Sequence, residues 1–112
     1  MTDERSIEVA GLRIRSERTD DLAVVTVSGE LGIANADALD QELRRVEAAG
    51  VAEILLDLRN LDLIDSAGIR ILYFASVRSR DAGDRLRMIR GPAQVQRAIA
   101  ALGLGEIFPF ID

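Results

Sequence analysis

The most reactive stretch of this sequence is Leu61-Asp62-Leu63-Ile64-Asp65-Ser66-Ala67-Gly68, where acids and a hydroxyl interrupt an apolar run. The Ser66 hydroxyl has two uses at such a place. It is a natural helix N-cap, able to accept from the free amides of a first turn. It is also a phosphoacceptor, because a phosphate at the positive end of a helix lies beside amides that can receive it. Phosphorylation would add roughly −1.5 to −2 charges next to Asp65 and repel an acidic or tightly fitting partner. Gly68 keeps the turn small enough for close approach by another molecule, and Arg70, one turn further on, could pair with a phosphate or with a partner's carboxylates. Asp57, Asp62 and Asp65 invite comparison with paired carboxylates for hydrolysis or metal binding, but acids near a turn are more often solvated or capping groups.

The missing residue types narrow the chemistry further. The chain has no His, Cys or Trp, and all 14 of its basic residues are Arg. That removes Ser-His and Cys-His nucleophile pairs, the usual zinc ligands, disulfides and the lysine of a phosphate-binding loop. Without lysine, Asp57 also lacks a companion expected of a phosphorylated receiver aspartate. No cofactor is expected, and an acid/base enzyme has almost no residue support. A formal charge of −5 without a basic stripe argues against nucleic acid as a partner. Met1 to Val9 carries Asp3, Glu4, Arg5 and Glu8 where a signal peptide would be apolar, and no stretch is long enough to insert in a bilayer, so a cytoplasmic location is expected.

At 112 residues, with 48 % hydrophobic and 29 % charged side chains, the sequence predicts a single domain over 1–112, its first ten residues a flexible lead-in. Leu12 to Arg15 alternates as a half-buried strand does, and Leu22 to Val27 is nearly continuous, β-branched and strand-like, with a hairpin turn in Glu17 to Asp21. Leu39, Leu43 and Val46 recur at helical spacing in a helix from Asn35 to Ala49 that Gly50 ends. Glu53 to Leu58 is a short apolar strand. Ile69, Leu72, Tyr73 and Val77 then give the inward stripe of a second helix, Ser66 to Ala82. Leu86 to Ile89 is another strand, Pro92 opens a third helix carrying Val95, Ile99 and Leu102, and Ile107 to Phe110 is a final edge strand. The fold class is α/β, with a four- to five-stranded mixed sheet and three to four helices packed against it.

Asp65-Ser66-Ala67-Gly68 after the strand Ile54 to Leu58, preceded by Val25-Thr26-Val27-Ser28-Gly29-Glu30-Leu31 and followed by Leu102-Gly103-Leu104 and Ile107-Phe108, resembles the STAS family and, within it, the anti-sigma factor antagonists. The resemblance runs from about Leu12 to Ile111. It implies a protein-binding regulator in which Ser66 is phosphorylated by an anti-sigma factor that is also a serine kinase. Only the unphosphorylated form binds that factor and frees the sigma factor, and a serine phosphatase resets the switch. The docking surface implied is Gly29, Glu30, Leu31 and Gly32 with Asp65, Ser66, Ala67, Gly68 and Arg70. A weak homodimer is compatible with the resemblance. Relatives usually carry an acidic residue where this chain has Gly32, and a second hydroxyl where it has Ala67. The alternative within the family is an unphosphorylated scaffold, or a soluble subunit of a lipid ABC transporter, in which Asp65-Ser66 only caps a helix.

Overall fold

The computed structural model describes residues 2–111. Six strands and three helices follow one another as β1 (Thr2–Val9), β2 (Leu12–Thr19), β3 (Leu22–Leu31), α1 (Ala36–Ala48), β4 (Glu53–Ile64), α2 (Ser66–Asp81), β5 (Leu86–Ile89), α3 (Ala93–Ala101) and β6 (Phe110–Ile111). The strands form a single sheet in sequence order, antiparallel through β1, β2 and β3 and parallel from β3 to β6. This is the mixed α/β sheet expected, with six strands in place of four or five.

The additional strand is β1. The segment expected to be flexible pairs along its whole length with β2, from Thr2 opposite Thr19 to Val9 opposite Leu12. Its polar sequence hides it, because the pairing rests on charge complementarity and not on an apolar face. Arg15 bridges to Glu4 at 2.8 Å, Arg13 to Glu8, and Arg5 reaches Glu42 of α1 at 3.3 Å. A two-residue turn closes the hairpin with Ala10 at φ +47° and Gly11 at φ +84°, the handedness that matches strand twist.

One face of the sheet is buried. Leu12 and Ile14 of β2, Ala23, Val25 and Val27 of β3, Ile54, Leu56 and Leu58 of β4 and Met88 of β5 meet Leu39, Leu43 and Val46 of α1, Ile69 and Leu72 of α2, and Val95 and Ile99 of α3. The second helix turns differently from the expected stripe. Ile71 and Ala75 are buried, whereas Tyr73 faces outward and meets Phe74 edge-on at 5.9 Å. Leu102 lies just past the end of α3 and is exposed. At the C-terminal edge the strand shrinks to two residues, while Phe108 plugs the core ahead of it.

What positions the site is the pairing of β3 with β4. Both strands run past their apolar centres, through irregularities between Thr26 and Ser28 and between Gly29 and Glu30, until Leu31 pairs with Ile64. The chain therefore leaves both strands side by side, at their carboxyl ends, where open α/β sheets gather their functional loops. The loop 32–35 and the start of α2 become neighbours.

Candidate functional site

The helix start is capped by Asp65, not by Ser66. Asp65 is extended (φ −108°, ψ −177°), and its Oδ1 accepts from the amides of Ala67 at 2.9 Å and Gly68 at 3.1 Å. A carboxylate suits this position twice, as a cap and as a negative charge at the positive helix end. Ser66 becomes the first helical residue. Its hydroxyl is exposed and bonds to no described residue, so the capping role read from the sequence belongs to its neighbour. The amides of Ala67 and Gly68 that a phosphate would have met are already occupied.

The other carboxylate oxygen of Asp65 reaches across to the loop after β3, where Oδ2 accepts from the Ile33 amide at 3.2 Å. The Asp65 amide in turn donates to the Leu31 carbonyl at 3.1 Å. Behind this loop lies Asn35, buried at 4 % exposure with every polar atom used. Its Nδ2 donates to the carbonyls of Ala10 (3.0 Å) and Glu30 (2.9 Å), and its Oδ1 accepts from the Gly32 amide at 3.0 Å. The turn of the β1–β2 hairpin, the end of β3 and the loop 32–35 are thus tied at one point. Gly29, at φ +101°, completes the tie, because a Cβ there would collide with the Gly11 carbonyl.

The expected docking residues divide into two groups. Glu30, Asp65, Ser66 and Arg70 are exposed, with Gly32 and Ala67 half-buried beside them. Arg70 lines one shallow hollow with Ser66, Ala67, Ile33 and Asp37, and makes no ion pair with a described residue. Leu31 and Gly68 instead face the interior, Leu31 at 1 % exposure. The close approach that Gly68 permits is filled by this chain itself, since a Cβ there would stand 2.7 Å from Leu31 Cγ and 2.9 Å from Ile64 Cγ1. These two residues shape the surface from beneath.

Two side chains went unread in the sequence. Ile33 is 87 % exposed at the loop tip and Leu63 is 54 % exposed, and both line the hollow on the other side of Asp65. An apolar residue between Gly32 and Ala34, outside any periodic stripe, was the available signal for Ile33. Leu63 was hidden, because β4 continues six residues beyond the strand end that composition suggests.

The acids do not assemble into a catalytic pair. Asp57 is buried and accepts from Arg59, from its amide at 3.0 Å, Nε at 3.1 Å and Nη2 at 2.8 Å. The Arg59 hydrogen bond holds its carboxyl below the ordinary range against the opposing effect of burial. Among the described residues no cluster of acids is placed to hold a metal ion, and no helix is long and apolar enough to cross a membrane.

Comparison with known proteins gives this geometry its context. A protein from Bordetella bronchiseptica, BtrV, described as a candidate anti-sigma factor antagonist, is 26 % identical over 98 residues, covering 88 % of this chain and 84 % of that one. The crystal structure of an anti-sigma factor antagonist from Mycobacterium paratuberculosis superposes with a TM-score of 0.76 at 27 % identity, over 88 % of this chain and 84 % of that one. The Bacillus cell fate determinant SpoIIAA in its phosphorylated form shares the fold, with a TM-score of 0.68 at 17 % identity, over 88 % of this chain and 89 % of that one. The STAS domain pattern itself matches residues 13–112, from β2 through the last strand. The chain belongs to the STAS domain family.

Proposed function

We propose that this chain is an anti-sigma factor antagonist that docks through the surface around Ser66 and is switched off by phosphorylation of that residue. The observation that carries the reading is the division of labour at the start of α2: Asp65 performs the capping, so the exposed Ser66 hydroxyl has no structural duty. Lining the hollows on either side of Asp65 are Ile33 and Leu63, apolar and exposed, with Glu30, Asp37 and Asp65 as acidic neighbours and Arg70 beside them. Such a face suits a partner with an apolar socket edged by basic side chains.

The partner is an anti-sigma factor with serine kinase activity, which brings its own ATP. Ser66 Oγ attacks the γ-phosphorus, forming the new P–O bond as the bond to the β-phosphate oxygen breaks. ADP leaves, and the hydroxyl proton passes to a base on the partner. The resulting phosphoserine sets a dianion into the centre of the contact and expels the partner. A serine phosphatase restores the hydroxyl by hydrolysis. Support for the role comes from the relatives described as anti-sigma factor antagonists; a protein that shares the fold is itself described in a phosphorylated form.

Incubation with a kinase-type anti-sigma factor and Mg-ATP, followed by peptide mass spectrometry, tests the switch. One phosphate at Ser66, absent in Ser66→Ala, is the expected result. A chain that binds such a partner stably in the presence of ATP and stays unmodified overturns it.

A further inference from the structure

We propose that Asp65 is the positioning residue that holds the Ile33 loop in its docking conformation, and that modification of Ser66 is felt at Ile33 through the Asp65 carboxylate. The inference rests on Ser66 being the phosphoacceptor, and it adds a second route by which the switch acts.

The geometry begins with one carboxylate doing three things. Oδ1 holds the amides of Ala67 and Gly68, and Oδ2 holds the amide of Ile33 across the gap between α2 and the loop. Ile33 makes no other hydrogen bond with a described residue, and its side chain is 87 % exposed, so this bond is what ties the tip of the loop to the helix. The base of the loop is held separately, by Asn35 on the Gly32 amide.

Gly32 makes the bridge possible. A Cβ at that position would stand 2.5 Å from Asp65 Oδ2 and 3.0 Å from its Cγ, so any side chain there would push the carboxylate away from Ile33.

A phosphate on Ser66 enters this arrangement one residue from Asp65. It carries roughly −1.5 to −2 charges and three strong acceptor oxygens, and two first-turn amides it would compete for, those of Ala67 and Gly68, are already held by Asp65. Two anions cannot share those donors without strong repulsion. The phosphate takes the helix end, the Asp65 carboxylate swings out to water, and the Ile33 amide loses its acceptor. The apolar tip of the docking face is then released while its base stays fixed through Asn35.

The test uses the full chain with phosphoserine installed directly at position 66 during synthesis, so its outcome does not depend on any kinase. Residue-resolved amide hydrogen exchange is read by NMR. Exchange at Ile33 is expected to accelerate about tenfold on phosphorylation, with Gly32 changed less than about twofold. In Asp65→Asn, and separately in Gly32→Ala, Ile33 is expected to exchange fast already, and phosphoserine to add less than about twofold. Unaltered Ile33 exchange in the phosphorylated wild type overturns the relay. So does an acceleration of the same size persisting in both variants, since a purely structural role for Asp65 would leave the phosphate increment intact.

Discussion

The backbone of Gly32 passes so close to the Asp65 carboxylate that a Cβ on Gly32 would stand 2.5 Å from Oδ2. The two residues are thirty-odd positions apart, yet they meet because β3 and β4 run in parallel to a common end at Leu31 and Ile64. A docking loop and a helix cap are thereby made a single unit.

Replacement of Gly32 tests that unit for its contribution to stability. The clash is with the free end of a side chain, which can rotate, so Gly32→Ala is expected to lose only the bridge to Ile33, about 1 kcal/mol. Urea denaturation reads this, and stability equal to wild type would mean that the bridge contributes nothing to the fold.

Gly68 predicts a larger effect in a place where helix propensity points the other way. Exchanging glycine for alanine inside a helix ordinarily gains about 1 kcal/mol. Here the new methyl would stand 2.7 Å from Leu31 Cγ and 2.9 Å from the Leu31 carbonyl oxygen, which belongs to the β3 backbone and cannot swing aside. Gly68→Ala is expected to destabilise by about 2 kcal/mol net, read from the same denaturation curves. A more stable variant would contradict the packing described.

Ile33 separates docking from folding. Its side chain touches little of its own protein, so Ile33→Ser is expected to leave stability within about 0.5 kcal/mol. The same change is expected to weaken binding of the anti-sigma partner about tenfold or more, as loss of a central apolar anchor does. Calorimetry of folding and of binding distinguishes the two, and undiminished affinity would remove Ile33 from the contact.

Acid sensitivity follows from Glu42, which α1 buries at 3 % exposure. Burial alone would raise its pKa, but the hydrogen bonds from Arg45 and Ser16 and the charges of Arg45 and Arg5 together outweigh it and hold the carboxyl below the ordinary Glu value of 4.5. A folded value below the unfolded one means that this stabilisation is fully present above about pH 4.5 and is lost as pH falls through the folded value. Asp57, lowered by Arg59, acts with the same sign. Stability is expected to be level from about pH 7 to 5 and to decline below, with Glu42→Gln flattening the decline and costing about 1–2 kcal/mol at neutral pH. An unchanged acid limb in Glu42→Gln would assign the decline elsewhere.

Much of this architecture is readable from the residues. Leu39, Leu43 and Val46 mark α1, the apolar runs mark β3, β4 and β5, and the Asp65-Ser66 step marks the start of α2, because each buries one side against the same core. The unread parts share a physical cause: they depend on partners distant in the chain. Strand β1 is polar and held by arginines on β2 and by Glu42. The capping Asp65 also reaches Ile33, thirty-two residues earlier, with its second carboxylate oxygen. Asn35 stands at the N-cap position of α1, yet its side-chain amide is spent on Ala10, Glu30 and Gly32. Local pattern places the elements, and the tie between the two loops emerges only when they are brought together.

The most direct test of the proposed switch is the affinity of the kinase-type anti-sigma factor for this chain with and without phosphoserine at position 66, measured by titration calorimetry without ATP. The proposal predicts tight binding of the unmodified chain and a loss of about a hundredfold or more on phosphorylation. Equal affinity of the two forms would contradict it.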